Sequence, residues 1–279
     1  MEAGTFRYCL NTSTIRGQKL DLPEIVEVAA RAGYQAIEPW VEEVERFQKA
    51  GGRLPEIAAR IVDLGLTVES AIGFAEWVVD DPARRKAGLE QMKRDMDLIA
   101  KIGGTRIAAP AMGAVDVAGM SLDAVAERYR AILEIGDAAG VTPQVEVWGF
   151  SKTLGKLGEA AYAASMSGHP KACILADVYH LYKGGSPFDG LRTINGGALG
   201  VFHMNDYPAD PPRAKIGDGD RVWPGDGVAP MAKVMRILGE IGFQGPLSVE
   251  LFSEAYWRME PLEAASKGLS KTKAVVEAA

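Results

Sequence analysis

Short apolar runs alternate with longer segments of helical period along almost the whole chain, and this alternation constrains the fold most. Segment 22–33 places apolar residues at three- and four-residue steps and ends on Gly33, a predicted helix C-cap. Ser121 is a predicted N-cap of a later helix. Repeated strand–helix units predict a parallel sheet covered by helices. The eight strand candidates are FRYCLNT (6–12), AIEPW (36–40), TVESAIGF (67–74), RIAAPAM (106–112), QVEVWG (144–149), CILADVYH (173–180), GVFHMND (200–206) and LSVELF (247–252).

The number of strand–helix units and the chain length favour a closed sheet. Eight units in 279 residues predict one α/β domain, a single (β/α)8 TIM barrel over residues 1–279, rather than an open doubly wound sheet. An apolar content of 47% is sufficient for a large core. The weakest helix candidate is the FDGL…NGG segment after the sixth strand.

One connection is much longer than the others. Between His203 and a helix expected near residue 228 runs NDYPADPPRAKIGDGDRVWPGDG, which is rich in Pro, Gly and Asp. Loops of this length in a compact domain commonly bind ligands or cover active sites. An extended loop after strand 7 lies on the face of a barrel that carries active sites, so we predict a functional role for it.

Four side chains that bind metals readily lie near the ends of the last four predicted strands: Glu146, Asp177, His203 and Glu250. Because strand ends of a parallel barrel open on one face, these groups can converge there. Each alone is more typical of a cap, an ion pair or a hydrogen-bonded core histidine. Together, within apolar runs where unpaired charge is costly, they predict one shared divalent metal ion. Such ligands suit Mn, Mg, Co or Zn, and manganese is the first expectation.

Tryptophans and two polar side chains are predicted to complete this face. All five tryptophans lie at strand ends or in the following loops, which indicates an aromatic-walled pocket for sugar rings. His180 can hydrogen-bond a substrate hydroxyl, and Arg221 can clamp a substrate oxygen. The alternatives are a surface loop imidazole and an arginine paired with Asp218 or Asp220. The predicted substrate-binding residues are Trp40, Trp148, Trp257, His180 and Arg221, and the remaining tryptophans are Trp77 and Trp223.

Composition narrows the class of partner. A net charge of −6 argues against nucleic acid or an anionic membrane surface. Cys9 and Cys173 lie in apolar strand-like runs, which indicates buried free thiols in a reducing compartment. The N-terminus lacks the pattern of a signal peptide, and no apolar run approaches the roughly 20 residues of a membrane span. We expect a cytoplasmic protein with a small-molecule carbohydrate substrate. A homo-oligomer is compatible with the sequence, although no segment singles out an interface.

A family resemblance is carried by GYQAIEPW, VEVWG, the D-x-x-H of segment 177–180, FHMND, R-x-x-PGDG and LSVELF. Through them nearly the whole chain resembles the xylose isomerase-like TIM-barrel superfamily of sugar isomerases and epimerases, which includes ketose 3-epimerases and inosose-processing enzymes. The resemblance implies that the four ligands bind one cation and that Glu146 and Glu250 are also the acid/base pair. It also implies that His180 and Arg221 hold the substrate. One departure is the longer insert between His203 and Arg221.

The predicted function is a divalent-metal-dependent epimerase or isomerase of a small keto-sugar or sugar derivative. A proton beside a ketone is too weak an acid for an unaided carboxylate, and a metal on the carbonyl oxygen stabilises the enediolate. One carboxylate removes the carbon-bound proton, and a group on the opposite face returns one with inversion. Return of the proton to the neighbouring carbon gives isomerisation instead, and the sequence does not choose between the two.

Three other functions are compatible with the same barrel. A lyase would expel a β-substituent from the enediolate, giving dehydration of a keto-sugar or cleavage of a 3-keto-glycoside. A DNA-repair endonuclease would need several metals, many more than three histidines and a basic groove. A sugar-binding barrel without turnover is the non-enzymatic alternative, which the presence of two glutamates in the ligand set disfavours.

Overall fold

A computed structural model describes residues 6–279, in which eight parallel strands form one sheet. The strand order is β3-β2-β1-β8-β7-β6-β5-β4, so the first and last strands of the chain are neighbours, as in a barrel. The strands are β1 (Arg7–Asn11), β2 (Ala36–Glu38), β3 (Thr67–Val68), β4 (Arg106–Ala109), β5 (Thr142–Glu146), β6 (Ile174–Asp177), β7 (Leu199–Met204) and β8 (Pro246–Val249).

Backbone hydrogen bonds beyond β3 close the cylinder. The N–H of Ala71 donates to the carbonyl of Arg106 at 3.1 Å, and the N–H of Ala108 donates to the carbonyl of Ala71 at 2.8 Å. These bonds connect the extended chain after β3 to β4, the two edges of the strand order. The predicted (β/α)8 TIM barrel is therefore confirmed.

Helices follow the strands and begin and end largely where the sequence predicts. Gly33 is the C-cap of α1 with φ 91°, and the Ser121 side chain accepts from the Ala124 N–H to cap α5. Helix α2 was not predicted; it begins directly after Trp40, whose N–H donates to the Glu43 carboxylate. The helices are α1 (Leu22–Ala32), α2 (Val41–Lys49), α3 (Leu54–Asp63), α4 (Pro82–Ala100), α5 (Leu122–Ala139), α6 (Leu157–Met166), α7 (Val178–Gly184), α8 (Met231–Glu240) and α9 (Pro261–Glu277).

The unit after β6 departs from the prediction. Strand β6 ends at Asp177 rather than at residue 180, because the Asp177 carboxylate accepts from the His180 N–H and starts α7. Gly185, with φ 74°, stops α7 after two turns. The FDGL…NGG segment then forms two short 3-10 helices, Phe188–Thr193 and Gly196–Ala198, in place of a barrel helix.

The extended loop after β7, residues 205–230, is confirmed and is tied down at both ends. Asp206 pairs with Val222 in an antiparallel bridge. Its buried carboxylate accepts four backbone N–H groups of the loop, those of Tyr207, Gly225, Gly227 and Ala229. The ammonium of Lys183 in α7 donates to three loop carbonyls, those of Arg213, Ala214 and Ile216. This bracing holds Asp218 and Arg221 over the strand ends.

The core lies between the sheet and the helices, and a smaller apolar cluster formed by Ile72, Ala108, Leu175 and Val201 packs against Trp40 and Phe74. Cys9 and Cys173 are buried free thiols, as predicted. Within residues 6–279, no helix has the length and apolar character that crossing a membrane requires.

Asp95 in α4 is a buried carboxylate on the helix side of the barrel. Burial, with a smaller contribution from Glu45, raises its pKa to about 6. In the unfolded chain an aspartate carboxyl has a pKa of about 3.9. Asp95 therefore makes its full contribution to the free energy of unfolding below that pH, where it is protonated in both states, and this contribution is lost as the pH rises through about 6. We expect Asp95→Asn to raise the free energy of unfolding at about pH 8 by roughly 1–2 kcal/mol.

Urea unfolding at about pH 4 and about pH 8 measures this difference, with the half-exposed Asp97→Asn on the same helix as the control. The gain at the higher pH is expected to vanish at the lower pH. An equal gain at both would contradict the assignment to a titrating carboxylate.

Candidate active site

The four predicted metal ligands all lie at the carboxyl ends of strands. Glu146 and Asp177 are the last residues of β5 and β6, His203 lies one residue before the end of β7, and Glu250 directly follows β8. Each residue is at most 4% exposed. Since parallel strands end on one face of the barrel, the four side chains come from one side of the sheet, as the sequence pattern predicts.

Three of these side chains converge on a common point. Asp177, His203 and Glu250 each offer one ligand atom, and the three atoms lie within 4.8 Å of one another. His203 Nδ1 is 3.2 Å from Glu250 Oε2 and 3.8 Å from Asp177 Oδ2. Among residues 6–279, this buried nitrogen has no hydrogen-bond partner. An imidazole nitrogen and two carboxylates with this spacing form a candidate site for a divalent metal.

Glu146 lines the same cavity but lies outside this group of three donors. Its Oε2 atom is buried and has no hydrogen-bond partner in the described part of the chain. Burial raises the pKa of the carboxyl to about 8, with His203 opposing and Glu250 adding to the shift. A carboxyl with this pKa can exchange protons near neutral pH, as a general acid or base must.

Arg221 is buried between the carboxylates of the site. Its Nη1 is 2.7 Å from Glu250 Oε2 and 3.4 Å from Asp177 Oδ2. Its Nη2 donates to Asp218, and the guanidinium carbon lies 4.5 and 4.9 Å from the centroids of two aromatic rings. Both Nη groups are therefore committed to protein acceptors. Of the two interpretations of Arg221, the pairing with Asp218 is present in the structure, and substrate binding by Arg221 stays a prediction.

His180 lies in α7 and is buried, rather than exposed in a loop. The N–H of Gly149 is 3.3 Å from Nδ1, and Arg221 Nη2 is 3.1 Å from Nε2. A neutral imidazole accepts at one nitrogen only, so one of these two contacts is not a hydrogen bond. Burial, followed by the charge of Arg221, lowers the pKa of His180 well below its ordinary value. The ring is therefore neutral at physiological pH. It also lines the cavity.

Glu38, the last residue of β2, belongs to the site and was missed in the sequence. Its Oε2 is 2.8 Å from His203 Nε2 and accepts from Ser248 Oγ at 2.7 Å and Asn11 Nδ2 at 2.9 Å. With the Nε2 hydrogen donated to Glu38, the Nδ1 lone pair of His203 faces the other two donors. Glu38 lies two residues before the end of the predicted strand AIEPW, so the criterion of a position near a strand end, which selected the other four residues, could have found it.

The cavity over these groups has a volume of about 180 Å³ and mainly aromatic walls. Trp40 and Trp148 line it, as predicted from their positions at strand ends. Trp257 lies outside the lining and donates its indole N–H to the Ser13 carbonyl at 2.8 Å. Trp77 and Trp223 are buried in the core. Three phenylalanines supply the rest of the aromatic wall. The residues that line the whole cavity are Trp40, Ile72, Phe74, Glu146, Trp148, Phe150, His180, Asp218, Arg221, Glu250 and Phe252.

The charges of the buried groups fit a divalent cation. Four carboxylates, those of Glu38, Glu146, Asp177 and Glu250, are buried beside a single guanidinium. Burial disfavours an imidazolium at His203, but Glu250 and then Glu38 outweigh it and raise the pKa of His203 well above its usual value. The surrounding carboxylates thus favour a positive charge at His203 Nδ1. A metal ion can supply this charge in place of a proton.

Comparison with known proteins identifies the family. The family described as xylose isomerase-like TIM barrel matches residues 26–275. The chain belongs to this family. A crystal structure of the IOLI protein with a binding zinc atom superposes on this xylose isomerase-like barrel with a TM-score of 0.90 and 21% identity, covering 98% of each chain. That likeness shows the fold.

Two sequence relatives of this xylose isomerase-like barrel are enzymes by name. The inosose isomerase of Bacillus velezensis is 30% identical over 152 residues, which are 54% of each protein. The chain thus spans about half the length of the inosose isomerases it matches. The 3-dehydroshikimate dehydratase of Pseudomonas putida is 22% identical over 250 residues, which are 89% of this chain and 39% of that protein.

Glu38→Gln is expected to weaken metal binding to this xylose isomerase-like barrel by roughly 10–100-fold, the usual effect of losing a hydrogen-bond partner of a metal-binding histidine. The amide keeps the side-chain volume but removes the charge that holds His203 Nε2. Titration of the apo-protein with manganese or zinc measures the effect. Ser248→Ala, which removes one donor to Glu38 and no charge, is the control and should have a smaller effect. Equal affinities of wild type and Glu38→Gln would contradict the role.

Proposed function

We propose that this protein is a divalent-metal-dependent isomerase or epimerase of a small keto-sugar or related keto-polyol. The observation that carries the proposal is a three-donor group, Asp177, His203 and Glu250, beside a further buried carboxyl group, that of Glu146, which lines the aromatic-walled cavity. The inosose isomerase relatives support this reaction class. Manganese remains the first expectation for the metal.

Different residues of the site would transfer protons, bind the substrate and hold the metal. Glu146 at the end of β5 and Glu250 after β8 are separated by two strands, so they approach a bound substrate from different sides. One accepts the proton from the carbon beside the carbonyl, and the other carries the balancing proton. The aromatic walls exclude water and pack against the carbon faces of the substrate, and His180 offers a neutral ring to a hydroxyl. A cation held by Asp177, His203 and Glu250 would stabilise negative charge on the substrate oxygens.

Deuterium wash-in from D2O tests this function. Metal-loaded protein is incubated with a panel of keto-sugars and keto-cyclitols, and label on the carbon beside the carbonyl is measured by NMR. We expect label in at least one compound and loss of labelling when a chelator removes the metal. Absence of both label and product across the panel at high protein concentration would refute the proposal.

A lyase is the second candidate, because the dehydratase relative aligns with 89% of this chain. The same proton abstraction followed by loss of a β-hydroxyl or β-glycosyl group gives an unsaturated ketone. The absorbance of the conjugated product in the near ultraviolet distinguishes the two reactions, since an epimer has none.

A further inference from the structure

The ionisable groups that line the cavity are mostly acidic. Three acidic side chains, those of Glu146, Asp218 and Glu250, line it together with one arginine and one histidine. Within residues 6–279, no lysine lines this cavity. A phosphate or carboxylate on a substrate would therefore enter a cavity whose acidic side chains outnumber its basic ones.

The two Nη groups of Arg221 are not available to bind such an anion. Its Nη1 faces Glu250 and Asp177, and its Nη2 faces Asp218 and His180. The side chain is 1% exposed, and aromatic rings lie beside the guanidinium. A substrate anion could bind these two groups only by displacing a protein carboxylate, which would then be left with an unpaired charge.

Asp218 occupies a different part of the cavity from the three metal-ligand candidates. It lies in the loop after β7 and binds the Nη2 end of Arg221, whereas Glu250 and Asp177 bind the Nη1 end. Its side chain is 43% exposed, so it meets a ligand at the opening of the cavity. Arg221 takes Oδ1 of the carboxylate, which leaves Oδ2 for an incoming group.

We infer that Asp218 is a specificity-determining residue, which accepts a hydroxyl of an uncharged polyol and excludes phosphorylated or carboxylated substrates. This inference rests on the proposed function and names the substrate class of the same site. A hydroxyl donates to the carboxylate, whereas an anion at the same point is repelled by it. Discrimination of this kind depends on the repulsive group as much as on the attractive contacts.

Asp218→Asn tests the inference, because the amide keeps the shape and an acceptor oxygen but removes the charge. The preference of metal-loaded protein for a neutral keto-polyol over its phosphate ester and over a keto-carboxylate is measured as a ratio of kcat/KM. We expect the variant to lower this preference on the order of tenfold or more, mainly by improving the anionic substrates. Glu254→Gln, an equal charge change at an exposed position after β8, is the control and should leave the preference unchanged.

Equilibrium binding separates this inference from the proposed function. Calorimetry with myo-inositol and inositol monophosphate needs no turnover, so charge selection is measured even if no substrate reacts. Equal preferences in wild type and Asp218→Asn, or a wild-type preference for the phosphate, would overturn the inference and leave the proposed reaction untouched. If Asp218→Asn does not fold, the wild-type preference should narrow as salt rises from about 0.02 to about 0.5 M, because a half-exposed charge is screened. A preference that does not change with salt would overturn the inference.

Discussion

Replacing Glu146 with glutamine is expected to lower kcat of the metal-loaded protein by about 10²–10⁴-fold while most of the bound metal is retained. The amide has nearly the shape of the carboxylate but cannot take a proton from carbon. Metal is retained because Asp177, His203 and Glu250 form the group of close donors without Glu146. Turnover and the metal content of dialysed protein are measured on the same sample.

Two companion variants make the Glu146 result specific. Glu250→Gln removes a residue that belongs to the donor group and also pairs with Arg221, so it should lose both turnover and metal. Glu134→Gln changes an exposed glutamate of α5 and should alter neither. Near wild-type kcat in Glu146→Gln would exclude its acid/base role, and full loss of metal would instead assign it to the ligand set.

His203→Ala is expected to weaken metal binding by at least about 100-fold, beyond the 10–100-fold typical for loss of an outer hydrogen-bond partner. The substitution removes the Nδ1 nitrogen that faces the two carboxylates. It also removes Nε2, the hydrogen-bond partner of Glu38. Elemental analysis after dialysis and titration of the apo-protein with manganese or zinc measure the effect.

His169→Ala is the matched control for this variant. His169 precedes β6, at the end of the barrel opposite the candidate site, and pairs with Asp137. It should leave the metal stoichiometry unchanged. An unchanged stoichiometry in His203→Ala as well would count against the proposed ligand set, and a thermal melt of the apo-protein shows whether the variant is folded.

The barrel could be predicted from the sequence because its signals are local. Alternation between strand-like and helical periods is set by neighbouring residues, and caps such as Gly33 and Ser121 act within one turn. The unit that begins with β6 was harder to predict from the sequence. The strand ends early because the His180 N–H donates to the Asp177 carboxylate and starts a helix, instead of donating to a neighbouring strand. The sequence does not show which of these two acceptors the N–H will bind.

The candidate site was predictable in part for the same reason. In a parallel barrel, position at a strand end already places Asp177, His203 and Glu250 on one face, without knowledge of distances. The burial and the hydrogen-bond partners of these side chains could not be predicted in this way. Whether Arg221 faces a substrate or a ring of carboxylates depends on how residues 205–230 return over the strand ends. The same loop decides that Asp218 meets the cavity.

The sequence alone determined the class of fold and the candidate metal-binding side chains, because periodicity and strand-end position are properties of short segments. Only the tertiary structure decided that Glu38 orients His203, that Arg221 is occupied by acidic partners and that Trp257 lies outside the cavity. Those contacts join residues of different strand–helix units, 165 positions apart for Glu38 and His203 and 29 positions apart for Arg221 and Glu250. Their geometry follows from packing across the barrel, which no local pattern encodes.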